Sequence, residues 1–196
     1  MLKALLEDAW SSKVFLVPTG RNPLKAGGMD WDLAERRGLM RDWLAEVKRE
    51  VSFTDFAKLV LVEDEMGVTD RPSFTVDTIE LLEQAQDKDS HWILAVGGDT
   101  PRTFAKWKNV EKLFRGLHSV WIFRRFHEPE PLGQIPQELR GLTEFRVMPQ
   151  TIRPVSATSM RALLLENREE FLARAPLLPV LRERIIAAFR EGRLRL

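Results

Sequence analysis

Along the chain, short continuous apolar runs alternate with longer segments in which apolar residues return every three or four positions. The first pattern suits strands buried on both faces and the second suits amphipathic helices, so the alternation predicts an α/β fold of βα units around a mainly parallel sheet. Lys13 to Pro18, KVFLVP, is apolar between a lysine and a proline and reads as an interior strand, while MLKALLEDAW before it reads as a helix tail. Trp31 to Arg49 sets Leu33, Met40, Leu44 and Val47 near one face, with Asp30 or Asp32 as cap, and predicts a helix. SFTDFAKLVLVEDE fits either a strand with a turn or a short helix followed by a strand. From Ser73 to Gln86 a helix is expected, with Val76, Ile79, Leu82 and Ala85 as its buried stripe and Ser73 or Thr75 as its cap.

Farther on, the pattern predicts a strand at Trp92 to Val96, a helix over Phe104 to Phe114 and a strand at Ser119 to Phe123. The three prolines of RRFHEPEPLGQIP argue against regular structure and predict an exposed loop. Glu144 to Met148 reads as a strand and Ser156 to Asn167 as a helix. Leu177 to Glu191 reads as a closing helix with Val180, Leu181, Ile185 and Phe189 facing inward. No internal repeat is present in the sequence.

Composition then narrows the reading. A chain of 196 residues, 44% of them hydrophobic, can bury one substantial core, so a single domain over 1–196 is expected, with sheet and helices in 1–150 and helices in 151–196. Thirty basic against 29 acidic residues leave a charge of +1, which offers no global field for nucleic acid or an anionic membrane. The lack of cysteine excludes a disulfide framework, a thiolate metal site and a cysteine nucleophile. Apolar runs fall well short of the ~20 residues that span a bilayer, and the amino end has no signal pattern, so a cytoplasmic protein is expected.

Two stretches carry chemistry. In ILAVGGDTPRTFAKW the strand ends on Gly97 and Gly98, and open α/β sheets bind ligands at that end of a strand. Asp99 could hold a ribose hydroxyl, a metal, or simply cap the next helix, with Pro101 in its first turn. Phe104 and Trp107 would share a helical face, where the indole could stack on a heteroaromatic ring or pack in the core. In RPVSATSMRALL the hydroxyls of Ser156, Thr158 and Ser159 precede a helical pattern and Arg161 follows, a set suited to phosphate. An ordinary cap would explain one hydroxyl but not the set. His91, His118 and His127 show no metal-ligand spacing, and no metal ligand is expected from the chain. Arg182, Arg184, Arg190 and Arg193 read as a solvated helix face, and Glu63, Asp64 and Glu65 as a solvent-facing acidic run.

These fragments, in this order, resemble the nicotinate mononucleotide adenylyltransferase family within the Rossmann-like nucleotidyltransferases. VFLVPTGRNPLK looks like its second strand and PPHK loop, RRGLM its arginine-to-methionine helix, and PSFTVDTIELL its SYTxxTL motif. IIGxDxLxxFxxW is matched by the stretch from Ile93 to Trp107, VWIFRR looks like the strand ending in RRP, and VSATSMR resembles ISxTxIR. The resemblance implies adenylyl transfer from ATP, with Mg²⁺, to nicotinate mononucleotide, by in-line attack on the α-phosphorus and without a covalent intermediate. It implies that Trp107 stacks on the pyridine ring and that Phe74 and Thr75 help recognise its carboxylate, largely through backbone amides. Gly97 and Asp99 would contact the adenosine, and Ser156, Thr158 and Arg161 the ATP phosphates. Thr19 and Lys25 would lie near the mononucleotide, with Arg124 or Arg125 at a phosphate. A homo-oligomer is compatible with the sequence.

The sequence departs from this family at one place. The family opens with a strand and a GGxFxPxHxGH loop whose histidines bind phosphate, and this chain has no His-x-Gly-His; Leu24 stands in place of the PPHK histidine. The first central strand is therefore expected to be missing, the amino end to be incomplete, and the catalytic residues are left unassigned. A segment supplied by a partner or by swapping, and a catalytically silent nucleotide-binding relative, are the alternatives. A sister transferase acting on pantetheine phosphate is disfavoured by TFAKW and SFTVDT.

Overall fold

The computed structural model describes residues 1–20, 23–24, 33–63, 71–125, 129–152, 157–175, 177 and 179–191. Asp30, Asp32, Asp64, Glu65, His127 and Arg193 lie outside them, so the expectations on those residues are not addressed. The described residues confirm a mixed α/β chain with parallel strands and flanking helices. Its contacts divide it into two compact units, one holding the described residues of 70–154, the other those of 2–21, 27–69 and 155–196.

The first unit is built on a parallel sheet of three strands, β1 (Ile93–Gly97), β2 (Ser119–Arg125) and β3 (Glu144–Ile152), in that order across the sheet. β2 is central, and its side chains from Val120 to Phe123 are all buried, which explains why its sequence is continuously apolar rather than alternating. Ile93 pairs with Ser119 and Gly97 with Phe123, and Ser119 in turn faces Glu144. The helix expected from Phe104 to Phe114 is two pieces, a 3₁₀ segment (Pro101–Lys106) and α1 (Val110–Gly116), separated at Asn109, whose φ of 48° is left-handed. A continuous helix would not allow that backbone conformation, and the break re-aims Trp107.

A second helix of this unit, α2 (Thr75–Gln84), buries Val76 as expected, but neither Ser73 nor Thr75 caps it: Phe74 occupies the cap position and makes no side-chain cap hydrogen bond. The proline-rich loop also differs from expectation. Its Pro131 and Ile135 are buried, and with Leu139 they close over the same core as Phe104 and Phe114. Prolines that begin short 3₁₀ turns at Pro131–Gln134 and Gln137–Leu139 give the loop a defined path. β3 continues past Met148 through Pro149, beyond the strand the pattern predicted; the register shift between Phe123 and Arg125 of β2 gives this nondonating residue a place on the ladder.

In the second unit, β4 (Val14–Leu16) and β5 (Leu59–Leu61) pair in parallel. Between them run α3 (Leu33–Glu50) and the short α4 (Phe53–Phe56), so SFTDFAKLVLVEDE is a short helix followed by a strand. α5 (Leu2–Leu6) covers this pair, and Leu2, Leu6, Val14 and Val47 form a common core with Trp43 and Phe56. Lys58 ties the cluster together: its ammonium donates to the Leu6 carbonyl at 2.8 Å and pairs with Asp55 at 3.0 Å. A separate core joins α6 (Ala157–Glu166), α7 (Arg168–Arg174) and α8 (Pro179–Arg190) through Leu164, Phe171, Ala175, Ile186 and Ala188. Ile185 and Phe189 pack on this core as expected.

The arginines of α8 are not simply a solvated face. Arg184 pairs with Glu35 and Asp42 of α3, and Arg182 donates to the Leu172 carbonyl. Similarly, Glu63 is engaged by Arg37 at 3.5 Å. No described helix is long and apolar enough to cross a membrane.

Candidate active site

At the carboxyl end of β1 the chain turns sharply. The Thr100 amide donates to the Gly97 carbonyl at 3.0 Å, closing a four-residue turn with Gly98 and Asp99 at its centre. The Gly98 amide donates to the Phe123 carbonyl of β2 at 2.8 Å, which holds the turn to the sheet from its other side. Asp99 is thus carried, part-buried, on a rigid corner at the strand end. Thr100, not Asp99, is the cap residue of the following 3₁₀ segment, and Pro101 stands in its first turn.

Trp107 closes that segment in extended conformation, outside the helical turn it was expected to share with Phe104. The two rings still touch, edge to face, with centroids 5.2 Å apart at 88°. Phe104 itself is fully buried and meets Phe114 in the same manner at 4.9 Å. The indole N–H donates to the Thr103 hydroxyl at 3.1 Å, and that hydroxyl donates to the Thr100 carbonyl at 2.8 Å. Trp107 is therefore held through its nitrogen and a ring contact with Phe104, part-buried against the core. It borders an open depression of about 770 Å³ with Asn109, Val110, Glu111, Lys112 and Arg115.

Phe74, the cap residue of α2, packs on the same core, and Thr75 begins that helix beside it. Lys108, next to Trp107, makes the junction: its ammonium bonds both carboxylate oxygens of Asp77, at 2.9 and 2.8 Å, and stands 4.8 Å from the centre of the Phe74 ring. Phe74 and Trp107 pack against one cluster of buried residues. Sequence reasoning did not single out Thr103 or Lys108. Thr103 sits four residues before Trp107, a spacing that could have flagged it, but Lys108 acts through a fold-dependent partner that no local pattern marks.

The other candidates are placed as follows. Arg124 lies near the end of β2 and pairs with Glu130 at 3.6 Å, and Arg125 is the last residue of that strand. Thr19 is exposed beyond β4, its carbonyl accepting from the Arg36 guanidinium, whose pKa burial lowers from its ordinary value. Thr158 and Arg161 occupy the first turns of α6, whereas Lys25 and Ser156 lie outside the described residues. His91 and His118 are exposed at the opposite end of the strands from Asp99, with ring centroids 5.0 Å apart. Among the described residues no three His, Cys, Asp or Glu side chains converge to hold a metal ion.

The "Probable nicotinate-nucleotide adenylyltransferase" of Leptospira interrogans is 28% identical over 163 residues, covering 83% of this chain and 75% of that protein. The protein of the same name in Chromobacterium violaceum is 29% identical over 177 residues, covering 84% and 78%. The chain is thus similar in sequence to proteins named as nicotinate-nucleotide adenylyltransferases. No family model matches it. Its fold is also that of a nicotinic acid mononucleotide adenylyltransferase from Plasmodium falciparum, solved with NaAD, with a TM-score of 0.69 over 99% of this chain and 89% of the other at 14% identity. The same Plasmodium enzyme solved with APC gives 0.67. In this chain, Gly97, Asp99, Phe74, Thr75, Trp107 and Arg124 belong to one compact unit, and Thr19, Thr158 and Arg161 to the other.

Proposed function

We propose that this chain transfers the adenylyl group of ATP to nicotinate mononucleotide, releasing pyrophosphate and forming nicotinate adenine dinucleotide, a step of pyridine nucleotide synthesis in the cytoplasm. The observation that carries the reading is Trp107: an indole fixed through its nitrogen and a ring contact with Phe104, part-buried and bordering an open depression, can offer a flat surface to a heteroaromatic ring. The missing side-chain cap on α2 supports it further, because the first-turn amides beginning at Thr75 can then serve a carboxylate ligand, with Phe74 alongside. Asp99 on its rigid turn suits a ribose or adenine contact with Gly97. Thr19, Lys25 and either Arg124 or Arg125 are assigned to the mononucleotide, and Ser156, Thr158 and Arg161 to the triphosphate. Catalysis then rests on alignment and on cations that offset charge growing on the phosphates. Mg²⁺, as a companion of the triphosphate, would supply part of that offset.

The test is direct: the purified chain with ATP, Mg²⁺ and nicotinate mononucleotide should yield the dinucleotide and pyrophosphate. Failure to form product overturns the reading. A second reading, a nucleotide-binding relative without turnover, is favoured by one observation: none of the three histidines forms a His-x-Gly-His, and His91 and His118 stand at the wrong end of the strands. Calorimetric binding of ATP without turnover would select it, and product formed only with pantetheine phosphate would assign the sister reaction.

A further inference from the structure

We infer that Arg184 is a positioning residue for the triphosphate end of the reaction, held in place by a bare patch on α3 at Gly38. The inference rests on the proposed adenylyl transfer. Glu35, Gly38 and Asp42 are three and four residues apart and so share one face of α3. The Arg184 guanidinium crosses that face from α8, its Nη1 donating to Asp42 Oδ2 at 2.9 Å and its Nε lying 3.5 Å from Glu35 Oε2. It passes over Gly38 so closely that a Cβ there would overlap the guanidinium. A side chain at 38 would force the guanidinium to shift off this face.

This arrangement combines two local penalties, a glycine inside an 18-residue helix and a carboxylate whose side chain is only 10% exposed. Both disfavour folding when taken alone, and replacing such a buried pair with apolar residues commonly leaves stability unchanged or improved. What the fork supplies is geometry. It fixes α8, whose Ile186 and Ala188 share a core with Leu164 and Met160 of α6, the helix that carries Thr158 and Arg161. One residue after Glu35, Arg36 donates to the Thr19 carbonyl. That contact does not involve Arg184, so the loop assigned to the mononucleotide keeps its hold on α3 when the fork to α8 is removed.

The test uses the full chain with Arg184→Lys, Arg184→Met and Gly38→Ala, each checked for cooperative melting. All three should raise KM for ATP about tenfold, equivalent to about 1.4 kcal/mol of binding, and leave kcat and KM for the mononucleotide within about twofold. Lysine cannot fork, so Arg184→Lys should resemble Arg184→Met rather than the parent. Adding Gly38→Ala to Arg184→Met should change KM for ATP no further. Unchanged KM for ATP in folded variants, or equal rises for both substrates, overturns the inference while leaving the proposed reaction standing. A parent chain without turnover overturns both.

Discussion

The indole of Trp107 hangs from the Thr103 hydroxyl by a 3.1 Å hydrogen bond, four residues back along the chain, with the Phe104 ring perpendicular to it. Trp107→Ala should therefore remove a preset stacking surface and leave the sheet intact. Stacking on an aromatic side chain is worth about 1–3 kcal/mol per base, so KM for the mononucleotide should rise roughly 5- to 150-fold. KM for ATP should stay nearly constant. Steady-state kinetics with each substrate varied decides it, and equal losses would mean that the ring serves packing alone.

Gly38→Ala should lower stability, against the usual trend. Within a helix the change ordinarily gains about 0.5–1 kcal/mol. Here the new methyl displaces the tip of Arg184 from Asp42, and losing a hydrogen bond to a charged group costs about 1.5–3 kcal/mol. The balance is a net loss of about 1–2 kcal/mol. A lower urea midpoint at unchanged slope would show it.

Asn109 holds φ at 48° between the 3₁₀ segment and α1. Asn109→Ala should cost about 1–2 kcal/mol, the penalty of a left-handed residue with an ordinary Cβ. Asn109→Gly should be close to neutral. If alanine were tolerated as well as glycine in thermal melts, the turn would not be what sets the approach of Trp107 and Lys108.

Acid should weaken the corner at α4. Hydrogen bonds from Ser52 first, and then from Lys58, hold the Asp55 carboxyl below its usual range. A carboxylate with a depressed pKa stabilises the fold above its unfolded value and loses that contribution as pH falls through the folded one, which places the loss below about pH 4. The Glu144 carboxyl is lowered in the same direction, chiefly by its hydrogen bond from Arg146. Asp55→Asn should therefore flatten part of the decline in melting temperature between neutral and strongly acidic solution. A variant whose acid profile matches the parent would refute the link.

Much of the fold is legible because burial on both faces leaves a plain signature. Val120 to Phe123 reads as a strand since it has no solvated side, and the stripe through Val76 reads as a helix for the complementary reason. The break at Asn109 is not legible: Phe104 and Phe114 keep helical spacing while their rings are brought edge to face by tertiary packing that permits a left-handed residue between them. Pro149 hides the end of β3 because only the neighbouring strand's irregularity makes room for it. At the site, the corner bearing Asp99 follows from Gly-Gly-Asp after an apolar run, whereas the hold on Trp107 depends on Thr103 and Lys108, whose partners are set by the fold. Arg184 was misread as solvated for a like reason: a charge pattern shows a cation but not the carboxylates that lie about 140 residues earlier in the chain.

The order of strands has a consequence for synthesis. β1 and β2 emerge from the ribosome in succession, but β2 lies at the centre of its sheet and waits for β3, which ends at Ile152. At about 5–20 residues per second, the stretch from Arg125 to Ile152 takes on the order of seconds to appear. Throughout that interval a strand whose residues from Val120 to Phe123 are destined for burial presents an open backbone edge to its surroundings. Ile135 and Leu139 leave the tunnel before β3, so the proline-bearing turns supply the first apolar cover and make that passage a point at which a chaperone would matter most.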